Sequence, residues 1–434
     1  MDKMADVLGR AGAWCGQNKY LSAIKNAFQN FMPLTIAGAI GVLWCNVLVN
    51  DQTGLGLFFK PIMALEFLNP AFQAVNFCTI SCITVGITLG IAQEIGVWNM
   101  GAERAGYIPG LVGLAAWLSV TNTSHMVEGA KEAFTGIAGN ELGATGLFTG
   151  MIIGVLSVEL FCFFEKQDAL KIKMPEQVPP GVARAFEVLV PATITLIITA
   201  CIGSACYNLT GLYLNDVIKN GIQGPLGAVG ATIPGVMIIY LVIMLFWLVG
   251  IHGNNMLSAV KEALFTPLAL ENVEKFNKGE KPTNIINMYA LQMWGEFGGS
   301  GVTIGLVIAI MIFGKREDNK AIATLSLVPG LFNINETVTF GVPMVLNPIL
   351  GIPFVVAPLI TIIIGYVLTV IGFCPVACLT VPWTTPPIVF GFLATGANVM
   401  GAVTQAILIV VSTVIYVPFL IAYEKYQNKQ AAEA

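Results

Sequence analysis

Glu336 stands in the run Val328-Pro329-Gly330-Leu331-Phe332-Asn333-Ile334-Asn335-Glu336-Thr337, flanked by amides rather than aliphatic residues. An ionisable group at membrane depth costs at least about 2.5 kcal/mol on insertion scales, so a carboxylate persists there where it pairs, faces a polar cavity or handles a substrate. His252 follows a long apolar run directly, in Trp247-Leu248-Val249-Gly250-Ile251-His252-Gly253-Asn254-Asn255. By residue type alone, a histidine at a span end reads equally well as an interfacial group. The adjoining Gly253, Asn254 and Asn255 make a hydrogen-bonding patch that apolar packing would not require. A carboxylate, an imidazole and amides without any nucleotide loop point to a transporter of a polar, uncharged or weakly charged substrate that draws its energy from elsewhere.

Other polar features carry less. Glu296, in Trp294-Gly295-Glu296-Phe297-Gly298, sits at a span boundary where a snorkelling acid is common, and the structural reading is preferred for it. Gly298-Gly299-Ser300-Gly301 is neither a G-x-G-x-x-G fingerprint after a strand nor a loop with the Walker lysine, so close helix packing explains it better. Trp383 suits the apolar face of a sugar ring as well as it suits a membrane interface. His125, in a polar loop, reads as solvated. Cys45, Cys78, Cys82, Cys162, Cys201, Cys206, Cys374 and Cys378 lie in or beside apolar runs, and Cys15 in a charged tail; they read as small packing residues. With no Cys-x-x-Cys and two histidines, no zinc site is expected. No cofactor is expected either, nor nucleic acid as a partner, for want of a basic aromatic patch.

The elements that must position these groups are membrane helices. Hydrophobic residues make up 56% of the chain, charged residues 11%, and the mean hydropathy is +0.78. The runs 31–49, 77–97, 142–164, 188–212, 229–250, 352–372 and 402–422 approach the roughly 20 apolar residues that span a hydrocarbon core. The shorter runs 105–120, 252–271 and 298–313 are read as spans too. None shows the alternation of a porin strand. The reading is an all-α integral membrane protein of about ten transmembrane helices in two domains, with two re-entrant hairpins near 321–347 and 375–398. Those two segments hold Pro329, Asn333, Asn335, Glu336, Pro343, Pro382, Trp383, Pro386 and Pro387. Such broken backbone at depth is tolerated where it is buried in protein or lines a cavity. Residues 1–30 lack the apolar core of a cleavable signal and read as an interfacial amphipathic N-terminus. The polar, proline-rich stretch 165–187 is one candidate boundary. Residues 213–227, alternating polar and apolar at helical spacing, read as an interfacial linker helix between a first domain, 31–212, and a second, 228–422, followed by a tail, 423–434.

Several stretches together resemble one family. Asn333-Ile334-Asn335-Glu336 followed by Phe340-Gly341-Val342-Pro343-Met344-Val345-Leu346-Asn347-Pro348 looks like the signature of the membrane-embedded enzyme IIC components of the sugar phosphotransferase system (PTS), in the lactose/cellobiose/N,N'-diacetylchitobiose branch. The segments 22–28, 32–38, 174–184, 250–253, 266–272, 298–301 and 382–384 occur in that family's order. The resemblance implies a homodimer in which 31–212 is a scaffold and dimerisation domain and 228–422 carries the sugar across. It implies delivery of a β-linked disaccharide, diacetylchitobiose or cellobiose ahead of lactose, whose primary hydroxyl is phosphorylated by a phosphocysteine on the IIB partner after relay through IIA. The chain is expected to be the permease component alone, with no phosphorylated residue of its own, in a bacterial cell (plasma) membrane. Glu336 and His252 match the family positions at the hydroxyl to be phosphorylated, with Glu336 as acceptor and possible base. Asn254, Asn335, Trp247 and Trp383 are further candidates for substrate contacts. Many relatives have proline after the glutamate where this chain has Thr337, so the local turn can differ. An ion-coupled sugar symporter with Glu336 as its coupling site is the alternative.

Charge sets the topology. Lys3, Arg10, Lys19 and Lys25, then Arg104, the group Lys166 to Arg184, the group Lys315 to Lys320, and Lys425 and Lys429 fall on one side, against Lys60, Lys131, Lys219, Lys275, Lys278 and Lys281 on the other. The positive-inside rule then places both termini in the cytoplasm. Single-cysteine substitutions tested with a membrane-impermeant reagent should label from outside at Lys131 and Lys278 and not at Lys171 or Lys320. Outside labelling at Lys320 would overturn the assignment.

Overall fold

Without water to pair backbone groups, an apolar run must close its hydrogen bonds within itself, which selects helices. A computed structural model bears this out and describes residues 14, 17–51, 56, 59–125, 134–175, 177–225, 230–342 and 344–433. Lys3, Arg10, Cys15, Lys131 and Pro343, named above, lie outside the described residues, as do Glu176 of the proline-rich stretch, the end of the linker, 226–227, and the start of the second domain, 228–229. Packing divides the chain into two units that interleave in sequence, one joining 17–38 to 74–227 and the other joining 39–73 to 228–434.

The first unit is a helical bundle of α2 (Ile83–Met100), α3 (Ile108–Val120), α4 (Ala144–Glu165) and α5 (Pro180–Thr210), with the first part of α1 (Lys19–Leu43). Ile87, Ile91 and Ile95 recur at four-residue spacing on α2, so they share one face, and all are fully buried with Trp117, Leu147 and Phe161. At the end of α4 the buried Glu165 takes ion pairs from Arg104 (2.8 Å) and Arg184 (2.9 Å), and Glu187 bridges the same two arginines. That pairing is what allows a carboxylate to be buried. Residues 19–30, the described part of the expected interfacial N-terminus apart from 14, 17 and 18, form the first half of α1. The linker is helical over Leu214–Ile218 and continues as a wider turn over Lys219–Gln223.

The second unit contains α6 (Ile233–Leu248), a turn Gly253–Met256, α7 (Ser258–Asn277), α8 (Met288–Gly295), α9 (Ile304–Phe313), α10 (Glu317–Leu331), α11 (Glu336–Gly341), α12 (Gly351–Val370), α13 (Val389–Ala394) and α14 (Val399–Glu433). Among the described residues, five helices are long and apolar enough to cross a membrane: Lys19–Leu48, Ala144–Glu165, Pro180–Thr210, Gly351–Val370 and Val399–Gln430. Two broken pairs, interrupted at Cys82 and at Thr303, raise the number to seven. The expected span at 252–271 is not among them. Its helix α7 carries Lys261, Glu262, Glu271, Glu274 and Lys275, too many charges for a lipid-facing helix.

The two proline-rich segments, 321–347 and 375–398, fold back on themselves. α10 and α11 form a hairpin whose turn closes through the amide N–H groups of Asn333 and Ile334, which donate to Gly330 and Pro329 carbonyls (both 3.0 Å), and Gly341 returns against the Ile322 side chain. The base of this hairpin is held by Glu424, a buried carboxylate on α14 that accepts from the backbone N–H of Lys315 (2.8 Å) and Arg316 (3.3 Å) and from Asn319. Beside it the Arg316 guanidinium, hydrogen-bonded to Asp318, holds that carboxyl below its usual range. In the second segment, Cys378 and Leu379 donate to the Ala394 carbonyl (2.7 and 3.1 Å), and the buried Gln405 accepts from the N–H of Ile388 and Gly391.

α8 and α9 meet at a 59° bend through Gly298-Gly299-Ser300-Gly301. Gly301 has φ +78°, and a Cβ there would lie 2.4 Å from the Phe354 ring. Gly301→Ala therefore combines a left-handed backbone with an overpacked contact, and it should destabilise the protein by about 1–3 kcal/mol. A lowered thermal midpoint in detergent is the expected result. An unchanged midpoint would mean that the bend tolerates a side chain.

Candidate functional site

The two hairpin tips meet at Asn333. Its backbone takes φ +62°, a left-handed conformation that asparagine tolerates better than most residues. That conformation goes with a side chain that serves three partners. The amide Nδ2 donates to the carbonyls of Trp383 and, at 3.2 Å, of Thr385 in the second hairpin, while Oδ1 accepts from the Gly298 N–H at 2.6 Å. Asn335 reinforces the same junction. It is buried, donates to the Ser300 carbonyl at 2.8 Å, and packs where a side chain on Gly299 would collide at 2.7 Å. The glycine run, read from sequence as helix packing, is thus the seat on which the first hairpin rests.

Glu336 begins α11, three residues beyond that junction, and the turn Gly253–Met256 brings His252 to it. The Asn255 N–H donates to His252 Nδ1 at 3.2 Å, so Nδ1 is the acceptor and the neutral ring carries its proton on Nε2. Nε2 lies 3.8 Å from Glu336 Oε1, and both side chains are nearly half exposed, at 44% and 47%. That separation is too long for a direct hydrogen bond but leaves room for one oxygen bonded to both. A hydroxyl seated there donates to the carboxylate and accepts from Nε2–H. The pair is suited to orienting a hydroxyl group, with a base beside its proton.

The remaining candidates divide. The Trp247 ring lies 4.4 Å from the His252 ring and 6.4 Å edge-on from Phe354, bracing the imidazole, and its buried Nε1 has no partner. Asn254 donates to Ser300 Oγ at 3.1 Å and leaves a buried Oδ1 unpartnered. Such orphaned groups in a native fold call for a ligand or water. Trp383 is 45% exposed at the second tip. Asn335 faces the glycine run rather than open space. Among the described residues no group of histidine, cysteine and carboxylate side chains is arranged to hold a metal. Sequence reasoning missed Asn333 and Ser300, whose roles depend on contacts between distant segments. The one local signal was an asparagine three residues after a Pro-Gly pair, a combination that marks turns.

A family model described as "Phosphotransferase system, EIIC" matches residues 25–358, which include Glu336 and His252. The chain belongs to that family. This EIIC chain is 33% identical to the oligo-beta-mannoside-specific EIIC component of the PTS of Bacillus subtilis over 98% of its own length and 94% of that protein's. It is 30% identical to a cellobiose-specific EIIC component of Lactococcus lactis, with 98% of each covered. Its fold matches the crystal structure of ChbC, the IIC component of an N,N'-diacetylchitobiose-specific phosphotransferase system, with a TM-score of 0.88 at 29% identity and 97% coverage of both chains. It is therefore a sugar permease component of a phosphotransferase system, and its apolar helices fit a multi-pass membrane protein.

Asn333→Gly removes the side chain and keeps the backbone conformation, whereas Asn333→Ala also strains the backbone. The glycine variant should weaken sugar binding by about tenfold, the effect of about 1.4 kcal/mol, and the alanine variant by more. Equilibrium binding in detergent reads both. Wild-type affinity in both would show that the tips hold their place without this amide.

Proposed function

We propose that this EIIC chain binds a β-linked disaccharide in its second unit and presents the sugar's primary hydroxyl, between Glu336 and His252, for phosphorylation by a IIB partner. The 3.8 Å gap between Nε2 and Oε1, sized for one oxygen, is the observation that carries this reading. In the transfer the hydroxyl oxygen attacks phosphorus, the O–P bond forms and the S–P bond of the partner's phosphocysteine breaks. Glu336 takes the proton. Asn254 and Trp247 supply further polar contacts to the sugar, and Trp383 a face for its ring.

The relatives named for cellobiose, diacetylchitobiose and oligo-β-mannoside support a β-linked substrate, with diacetylchitobiose or cellobiose ahead of lactose. The chain works with IIA and IIB components as a homodimer in a bacterial plasma membrane, both termini cytoplasmic. The first unit serves as scaffold and dimerisation surface and the second as the carrier of the sugar, with the two hairpins re-entrant from the membrane faces.

Glu336→Gln keeps the size and one acceptor oxygen but removes the charge. Hydrogen bonds to charged groups contribute roughly 1.5–3 kcal/mol against 0.5–1.5 for neutral ones. Disaccharide binding should weaken by about tenfold to a hundredfold, and phosphorylation by more, since the variant also lacks the base. The assay follows sugar phosphate formed with phosphoenolpyruvate and the partner proteins. Wild-type binding and turnover in the variant would overturn the site. Accumulation of unmodified sugar that collapses with an ionophore would overturn the reaction in favour of ion-coupled symport.

A further inference from the structure

Glu296, Lys261 and Tyr240 form a buried polar cluster that the transfer chemistry does not use. The Glu296 carboxylate pairs with the Lys261 ammonium and accepts from the Tyr240 hydroxyl at 2.7 Å. The Lys261 side chain is 7% exposed, that of Glu296 15%, and Tyr240 is fully buried. A buried ion pair is a poor means of stabilising a fold, because desolvation offsets the attraction and apolar residues of similar volume do as well or better. Its position suggests a different use.

The cluster joins three elements: Tyr240 lies on α6, Lys261 on α7, and Glu296 follows α8 directly. Two residues after Glu296, the Gly298 N–H donates to Asn333, and the Glu296 carbonyl itself accepts from the Gly299 N–H at 3.0 Å. In the other direction along the chain, Lys261 stands on the first turns of the helix that follows the turn Gly253–Met256, which holds His252 and Asn254. Asn254 in turn bonds to Ser300. The ion pair therefore ties the segment bearing His252 to the glycine seat on which the Glu336 hairpin rests.

We infer that Lys261 and Glu296, with Tyr240, are positioning residues that set the spacing between His252 and Glu336. They act through the glycine seat and touch no substrate. This rests on the reading of His252 and Glu336 as the pair that holds the sugar hydroxyl. Loosening the tie lets the two hydroxyl partners drift, so the loss falls on recognition of that one hydroxyl rather than on the rest of the sugar.

The test compares two ligands in purified dodecylmaltoside-solubilised protein. The first is cellobiose or N,N'-diacetylchitobiose, whichever the wild type binds more tightly, and the second is the same sugar with hydrogen in place of the one of its two primary hydroxyls that is phosphorylated. In Lys261→Met/Glu296→Met the thermal midpoint should hold, while the preference for the intact sugar falls by about tenfold, one hydrogen bond to a charged group being at stake. Tyr240→Phe keeps the pair and should lower the preference by about threefold; it decides the matter if the double variant does not fold. Equal weakening toward both sugars, or an unchanged preference, would reduce the cluster to packing and overturn the inference. A wild type with no preference for the intact sugar would instead overturn the hydroxyl-binding role of Glu336 and His252, and the inference with it.

Discussion

Every turn placed at membrane depth exposes peptide groups that water cannot satisfy, and each one left unpaired costs several kcal/mol. The second unit turns its chain at two hairpins and at the bend between α8 and α9, and the side chain of Asn333, from the first hairpin, serves peptide groups of the other two. One amide donates to two carbonyls of the second hairpin and accepts an N–H from the bend between α8 and α9. Remove it and three segments lose a common partner. The placement of Glu336, three residues further on, follows from that junction.

Around it the structure spends its polar residues on holding backbone rather than on packing. Gln405 serves two N–H groups of the second hairpin and donates to the Met293 carbonyl of α8. Asn287 caps α8 through the N–H groups of Tyr289 and Ala290 and donates to the Ala377 carbonyl. Glu424 anchors the base of the first hairpin. These side chains are buried and fully engaged, whereas His252 and Glu336 are half exposed and not bonded to each other. A site whose supports are satisfied and whose working groups are left open is preorganised for a ligand.

Much of this was legible in the sequence. The apolar runs identified the helical class, and Glu336 and His252 stood out because charge and imidazole are costly beside long apolar spans. The hairpins were legible from proline, glycine and asparagine in segments otherwise apolar. What was not legible depends on contacts between distant residues. Nothing in the local sequence of Gly298 to Gly301 distinguishes a seat for a hairpin from ordinary close packing of helices. Asn335 looked like a ligand contact, yet its amide faces the Ser300 carbonyl. Residues 39–73 read as part of the first domain because they lie within 31–212, but they pack with the second unit. The run 252–271 read as a span because its aliphatic residues outnumber its charges, and the charges are accommodated inside the protein, as Lys261 beside Glu296 illustrates.

The central claim is that His252 and Glu336 hold one sugar hydroxyl between them. A structure of the protein with a bound β-linked disaccharide, determined by electron microscopy, measures this directly. The expected result is the oxygen of the primary hydroxyl within about 3.2 Å of both His252 Nε2 and a Glu336 carboxylate oxygen, with the imidazole Nδ1 still taking the Asn255 N–H. A disaccharide bound elsewhere, or one whose primary hydroxyl contacts neither side chain, would contradict it.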